Sequence, residues 1–382
     1  MKTSSRLLAA SVAILVTLFV IGAGRSSAAG SKSGTRAGPD LAYVAAQVQR
    51  FRALPHFIAP GPPFDARKVM AGKTILSIPV SSANPFTENI DKAMRQIAKH
   101  IGFKFIEWSN QGQPIQWVQG MNAAINQRVD LIDMLGGTDP AGLQPQIKAA
   151  RARGIKVVAS HLYGTDQTPA PNLSGVIPFP YNQVGRLLAD WVILKTKGRA
   201  DVLVIESKEI IPTSTYVNGI AAEFKTRCGP SCTFRIVNAA VPDWSTKIQP
   251  QVQAAIIKDK NLNYVIPIYD SMSQFVVPAI QLTRATGRVK IVTFNGTPFV
   301  LGFVQQGSVE MDAGENLDWI AHAILDQEMR IIGGLPPVKD EHIPVLIFDK
   351  SNANTAGTPP QINKGYGNAY ADGYNRLWRL ST

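Results

Sequence analysis

Nine side chains stand where a chain of alternating strands and helices would gather them: Asn84, Phe86, His161, Tyr216, Trp244, Tyr269, Asp270, Asn295 and Glu315. They are amides, carboxylates, an imidazole, phenols and apolar aromatic rings. Planar amides and carboxylates hydrogen-bond adjacent hydroxyl groups two at a time, and aromatic faces pack on the C–H faces of a saturated ring. The chemistry such a set performs is recognition of a hydroxylated small molecule. Taken singly, each residue has a plainer role. Asn84 before Pro85 caps a helix, Asn295 before Gly296 makes a turn, and His161 ends a strand. Their shared topological position carries the argument.

The parts of a catalytic machine are missing. The sequence has no Gly-x-Ser-x-Gly elbow, no phosphate-binding Gly-rich loop, no Gly-x-Gly-x-x-Gly and no His-Glu-x-x-His. Its five histidines, at 56, 100, 161, 322 and 342, are not paired at metal-ligand spacing. The expectation is a protein with no catalytic residues, no metal and no cofactor.

The elements that must position the nine residues follow from hydrophobic periodicity. Thr74–Val80, Phe103–Trp108, Asp130–Leu135 and Lys156–Ser160 are short apolar runs whose starts recur every 26 to 29 residues, the length of a β-α-β unit. Between them Ile90, Met94, Ile97 and Ile101 share one helical face. Trp117, Met121, Ala124 and Ile125 share another, and Leu143, Ile147 and Ala150 mark a third helix. Past Pro180 the spacing predicts strands at Asp201–Ser207, Phe234–Val241, Tyr264–Tyr269, Lys290–Asn295, Ser308–Asp312 and Pro344–Asp349. Helices are predicted at Asn182–Thr196, Ser214–Arg227, Thr246–Asp259, Met272–Thr286 and Leu317–Ile332. About ten strands exceed one open sheet with short loops, so two doubly wound parallel-sheet lobes are the natural α/β solution. Ligands of such sheets bind at the carboxyl ends of the strands, where the nine residues lie.

The flanking segments read differently. Lys2 and Arg6 precede an apolar run from Leu7 to Gly24, and Ser27-Ala28-Ala29 follows, the pattern of a secretory signal over residues 1–29. An uncleaved N-terminal anchor is the alternative. No cysteine lies beside the small residues, so a non-lipidated periplasmic protein is expected. Residues 30–72 form a Gly-, Pro- and Arg-rich extension expected to pack on the surface, with a helix possible over Asp40–Leu54. Tyr366–Trp378 reads as a docking helix in the tail. Lys2, Arg6 and Arg25 are the only charged residues before position 30, so a chain beginning there carries about +9 against +12 for the whole. The basic residues are scattered rather than striped, which argues against nucleic-acid binding. Cys228 and Cys232, in Cys-Gly-Pro-Ser-Cys, are the two cysteines and are expected to close a small disulfide loop.

Ser82-Ala83-Asn84-Pro85-Phe86 after the first strand, Ala152–Val158 leading into the fourth, and Phe294-Asn295-Gly296-Thr297-Pro298 late in the chain occur in a telling order. On these stretches the region from Thr74 to Asp349 resembles the ribose/galactose-type periplasmic sugar-binding proteins, with the type I periplasmic binding fold. The resemblance implies two lobes joined by three hinge strands, a ligand enclosed between them, and delivery to the permease of an ABC importer without chemistry on the ligand. It implies lobes of residues 73–179 plus 316–342, and 180–315 plus 343–382, the second carrying the C-terminal tail. Asn84 and Phe86 match the family's Asn and Phe after the first strand. Trp244 matches its stacking aromatic. Asn295 stands where Asp is usual, and Glu315 where Gln or another polar residue lies near the hinge.

The departures concern charge. Ribose-type members carry Asp-Arg at the end of strand four, where this chain has His161-Leu162. They carry Arg where Tyr216 stands and Asn where Tyr269 stands, although Asp270 follows as in the family. Two forked Arg donors are therefore replaced, and the pocket should be more aromatic and less cationic. The expectation is an exported, monomeric solute-binding protein for a sugar or sugar-like polyol. The alternatives are a binding protein feeding a chemoreceptor or sensor kinase, and a binder of a less hydroxylated, aromatic or acidic molecule. A transcriptional regulator would need an N-terminal helix-turn-helix, and the export pattern opposes one.

Overall fold

Local sequence signals start most of the elements. In the computed structural model, which describes residues 38–380, two helices come first, α1 (Leu41–Arg50) and α2 (Ala66–Met70). The signal reading of residues 1–29 lies outside the described residues. A first run then alternates as β1 (Thr74–Pro79), α3 (Pro85–Ile101), β2 (Lys104–Glu107), α4 (Pro114–Gln127), β3 (Leu131–Leu135), α5 (Gln144–Ala152), β4 (Lys156–Gly164) and β5 (Gly175–Phe179). A second run continues with α6 (Tyr181–Thr196), β6 (Asp201–Glu206), α7 (Thr213–Glu223), β7 (Thr233–Asn238) and α8 (Trp244–Lys258). It goes on through β8 (Tyr264–Pro267), α9 (Ser273–Leu282), β9 (Lys290–Asn295), α10 (Pro298–Gln306) and β10 (Met311–Glu315). The last elements are α11 (Leu317–Ile332), β11 (Val345–Asp349) and α12 (Ala369–Leu377). The helix α3 shows how tightly sequence dictates this. Asn84 Oδ1 accepts from the Phe86 amide, Pro85 fills the first turn, and Gly102 ends the helix at φ 103°.

The strands form two sheets, ordered β2-β1-β3-β4-β5 and β11-β10-β9-β8-β6-β7. The first is parallel throughout, and in the second only β11 runs antiparallel, against β10. Each is covered on both faces, as parallel sheets are. In the first lobe α3 and α11 bury Ile90, Met94, Ile320 and Ile324 against one face, while α4 and α5 cover the other with Met121 and Ile147. In the second, α6 and α7 lie on one face and α8, α9 and α10 on the other. The two-lobed α/β architecture read from the sequence is therefore present, with eleven strands among the described residues.

Three connections join the lobes: Phe179 to Tyr181, Glu315 to Leu317, and residues 333–344. The terminal segments cross as well. Helix α1 buries Val44 and Val48 in the second lobe, Phe51 accepts from the Ile347 amide, and Arg52 pairs with Asp349. Phe64, Ala66 and Met70 are then buried in the first lobe. The extension is thus built into both cores, where sequence reasoning places it on the surface. The tail also differs from expectation. Residues 343–382 are assigned to the second lobe by resemblance and β11 lies there, but α12 buries Tyr370, Tyr374, Leu377 and Trp378 in the first lobe. These four fall on one helical face, and α11 offers it a matching aromatic surface in Trp319 and His322.

Arg330 ties these pieces together. Its Nε donates to Asp326 (2.6 Å), its Nη2 donates to the Pro62 carbonyl (3.1 Å), and its guanidinium lies 4.9 Å from the Phe64 ring centroid. Trp378 Nε1 donates to the other oxygen of Asp326 (2.7 Å). A second polar group lies in the core of the same lobe. Ser77 of β1 and Asp133 of β3 are register partners, with Asp91 of α3 and Glu328 of α11 in the layer above. All four are fully buried, and no well-formed hydrogen bond reaches any of the six carboxyl oxygens. Burial pushes Asp133 up to about 7, although the nearby Ser160 favours its ionised form. Burial also raises Asp91 and Glu328 well above the carboxylate range, and the neighbouring negative charges add to the effect. Cys228 and Cys232 form the expected disulfide, their Cα atoms 5.8 Å apart.

Candidate functional site

The carboxyl ends of both sheets face one another across the hinge. Asn84 and Phe86 follow β1, and His161 sits where β4 breaks register against β5. Tyr269 and Asp270 follow β8, Asn295 ends β9 and Glu315 ends β10. Trp244 opens α8, in the family's place for a stacking ring but already helical. Two of these residues hold unusual backbones, His161 at φ 50° and Asn295 at φ 145°. Side chains other than glycine occupy such regions at a cost of about 1–3 kcal/mol, and functional sites are where that cost is tolerated.

A cavity of about 20 Å3 lies between the lobes, lined by Asn84, Phe86 and His161 from the first and by Trp244, Tyr269 and Asn295 from the second. Six of the nine sequence-predicted residues are therefore brought together. The other three stand one layer behind. Tyr216 is fully buried in the second lobe, its ring against Tyr181, Tyr269 and Phe294. The first turn of α7 points it inward, and Gly185 of α6 lets the two helices approach closely enough to seal it. Asp270 accepts from the Thr297 amide (2.6 Å) and hydroxyl (2.7 Å), so it braces the loop after β9. Burial pushes its pKa up to about 7 despite those bonds, which favour the charged form. Glu315 accepts from His161 Nε2 (2.8 Å) and from Asn295 Nδ2 (3.0 Å). One carboxylate thus holds a lining residue of each lobe.

His161 is the hub of the floor. Its ring stacks on Phe179 (5.2 Å, 28°) and lies 5.0 Å from Phe86. Its Nδ1 is 2.6 Å from the hydroxyl of Tyr181, which also donates to the His161 carbonyl (2.8 Å). Tyr181 lines the cavity and was not found from sequence, because β5, the strand it follows, contains Pro178 and does not read as a strand. Its signal was available: an aromatic opening a helix directly after a short apolar run. Val80, Thr87, Gly136, Ile210, Pro212 and Ser271 complete the wall and are likewise not singled out by sequence reasoning.

Outside the cavity lies a wider chamber of about 270 Å3 that shares Asn84 and Trp244 with it. Its walls include Ala83, Pro85 and Gln111 on the first lobe and Val241, Pro242 and Phe275 on the second. A larger hollow of about 830 Å3 lies at the opposite, amino-terminal end of the first sheet, among Lys73, Arg128, Asp130, Arg153 and Lys156. It is an open cationic surface remote from the converging strand ends. Among the described residues no three His, Cys, Asp or Glu side chains converge as a metal site requires.

A family model for the periplasmic binding protein domain matches residues 75–335. The fold is similar to that of a 5-methylthioribose transporter solute-binding protein from Thermotoga lettingae, at 18% identity and a TM-score of 0.68, covering 84% of this chain and 100% of that one. It is similar to an ABC transporter solute-binding protein from Agrobacterium vitis bound with α-D-tagatopyranose, at 19% identity and a TM-score of 0.67, covering 76% and 99%. A carbohydrate transporter from Acidothermus cellulolyticus in complex with myo-inositol is 20% identical with a TM-score of 0.64, covering 78% and 100%. No curated protein matches the chain.

Proposed function

The chain belongs to the periplasmic binding protein domain family, and from that premise we propose that it is an exported solute-binding protein that captures a sugar or sugar-like polyol between its lobes and delivers it to an ABC importer. The observation that carries this reading is the meeting of Asn84, Phe86 and His161 with Trp244, Tyr269 and Asn295 around one interlobe cavity. Amides and rings from opposite lobes suit a ligand with hydroxyls at its edge and C–H groups on its faces. The sugar and polyol ligands of the similar structures support the class. The apolar run before Ser27-Ala28-Ala29 supports export, and the Cys228–Cys232 disulfide suits an oxidising compartment. No helix among the described residues is long and apolar enough to cross a membrane.

Capture works by closure. A cavity of about 20 Å3 has room for a water molecule or two, whereas a benzene-sized guest needs roughly 150 Å3. A sugar ring therefore enters only when the lobes part. The lobes then close on the ligand less far than they do around this cavity, the ligand-bound form is stabilised by contacts made on both sides, and the permease reads that form. Nothing in this cycle requires chemistry on the ligand.

The test is a thermal-shift screen of pentoses, hexoses, inositols and sugar alcohols, repeated on Asn84→Ser. Serine keeps the helix cap but removes the amide that faces the cavity. A ligand at a hundredfold excess over its Kd stabilises the fold by roughly 2.7 kcal/mol. The expected result is a clear rise in Tm for one sugar or polyol, lost or much reduced in Asn84→Ser. A shift produced only by compounds without a sugar or polyol core would overturn the reading.

A further inference from the structure

Resting on that reading, we infer that the ligand is an uncharged sugar or polyol carrying an apolar substituent, with its ring held between the inner-cavity residues of the two lobes once these have parted to admit it, and the substituent in the outer chamber.

Charge is the first argument. The chain has 39 Lys and Arg and 27 Asp and Glu, yet none of them lines either the cavity or the chamber beside it. Both nitrogens of His161, the one imidazole present, are taken by Glu315 and Tyr181. The nearby carboxylates of Asp270 and Glu315 direct their oxygens at Thr297, His161 and Asn295 rather than at the cavity. A phosphate, carboxylate or ammonium group would be stripped of water here with no opposite charge to meet it.

Hydrogen-bonding capacity is the second. Most polar side chains of the inner wall are satisfied by the protein. The Tyr269 hydroxyl is 2.9 Å from Thr213 Oγ1, Thr87 Oγ1 donates to the Ser81 carbonyl, and Trp244 Nε1 donates to Ser207 Oγ and the Ala239 carbonyl. Asn84 Nδ2 and Asn295 Oδ1 make no hydrogen bond to a described residue, and they come from opposite lobes. Two free amide ends serve a few hydroxyls and leave part of a fully hydroxylated ligand unpaired, a penalty a buried ligand hydroxyl cannot avoid.

The outer chamber is the third. At about 270 Å3 it exceeds the inner cavity more than tenfold, and Asn84 and Trp244 line both. Trp244, Phe275, Val241 and Pro242 face Ala83 and Pro85 across it, and Ser81, Gln111, Ser245 and Gln274 complete a mixed wall. The apolar stretch of that wall rewards an alkyl, alkylthio or aryl group leaving the ring, while the uncharged polar stretch offers no charge to an ionic one. Each buried methylene contributes about 0.8 kcal/mol, close to a fourfold gain in affinity.

Isothermal titration of the full chain with D-ribose, D-glucose and the methyl, ethyl, n-butyl and phenyl β-glycosides of each tests this, alongside glucuronate, glucosamine and glucose 6-phosphate. The expected result is a Kd that falls about fourfold per added methylene up to butyl, with no binding of the charged sugars. In Phe275→Ser, a half-buried position, the series should flatten. A parent sugar that binds as tightly as its glycosides, or a charged sugar that binds best, would overturn the inference while leaving the sugar-binding reading intact. If no carbohydrate binds at all, both fall together. An unchanged series in Phe275→Ser would refute the placement of the substituent.

Discussion

Asp133→Asn should stabilise the protein at pH 8 and change it little at pH 4. Asp133 is buried between sheet and helices of the first lobe, with Asp91 and Glu328 in the helical layer above it and no well-formed hydrogen bond to either of its oxygens. In the unfolded chain its carboxyl ionises near 3.8, and in the folded protein near 7. Between those values the folded state holds a proton that the unfolded state releases, so stability falls as pH rises from about 4 through 7. At roughly 1.4 kcal/mol per tenfold change in proton affinity, the penalty at pH 8 is about 4 kcal/mol, an order-of-magnitude figure. Asparagine has nearly the same shape and never ionises, so it removes that penalty. It also removes one of the charges that raise Asp91 and Glu328. Urea unfolding followed by circular dichroism at pH 4, 6 and 8 measures the difference, with a common m-value confirming the same transition. Equal slopes of stability against pH in the two proteins, or a less stable variant at pH 8, would refute the reasoning.

Three further outcomes are expected. Glu315→Ala strands the donors of His161 and Asn295 in a dry site; calorimetry should show a loss of about 2–4 kcal/mol, and ligand binding should weaken with it. Arg330→Met leaves Asp326 buried with only Trp378 as a partner, so a loss of about 3–5 kcal/mol is expected. Native-state proteolysis should then cut faster near Pro62, whose carbonyl loses its donor. Replacing Cys228 and Cys232 together by serine opens a loop of sequence separation four; chain entropy puts the cost at about 2 kcal/mol, read from the shift in urea midpoint.

Much of the fold is legible because its elements obey simple periods. Helix α11 and strand β9 occupy the residues that spacing assigns, Leu317–Ile332 and Lys290–Asn295. Misses occur where the period fails. Pro-Phe-Val-Leu-Gly-Phe-Val in α10 is apolar all round and shows no helical face, so the helix is not recognised and β10 is expected three residues early. In β5, Pro178 disguises a strand that lies at the sheet edge and pairs only with β4, the position where proline is tolerated. The candidate site is legible to the depth of the backbone. Asn84, Phe86, His161, Trp244, Tyr269 and Asn295 reach the cavity, whereas Tyr216, Asp270 and Glu315 occupy comparable positions but point behind it. Sequence position fixes the strand end on which a residue lies, and packing against neighbours fixes the direction of its side chain.

The crossing of the terminal segments bears on how the chain comes to be folded. The first lobe's core contains Trp378 and Tyr374, more than 190 residues beyond its last strand, and the second lobe's core contains Val44 and Val48 from before its first. Neither half is a contiguous folding unit. A ribosome that has released residues 38–179 has produced a sheet whose aromatic lid is still unmade, and contacts at such separation form late. Translation order therefore delays completion of the native state until α12 has emerged. On the export proposed above, a chain whose first lobe stays incomplete until α12 emerges is one that remains unfolded enough to be threaded across a membrane.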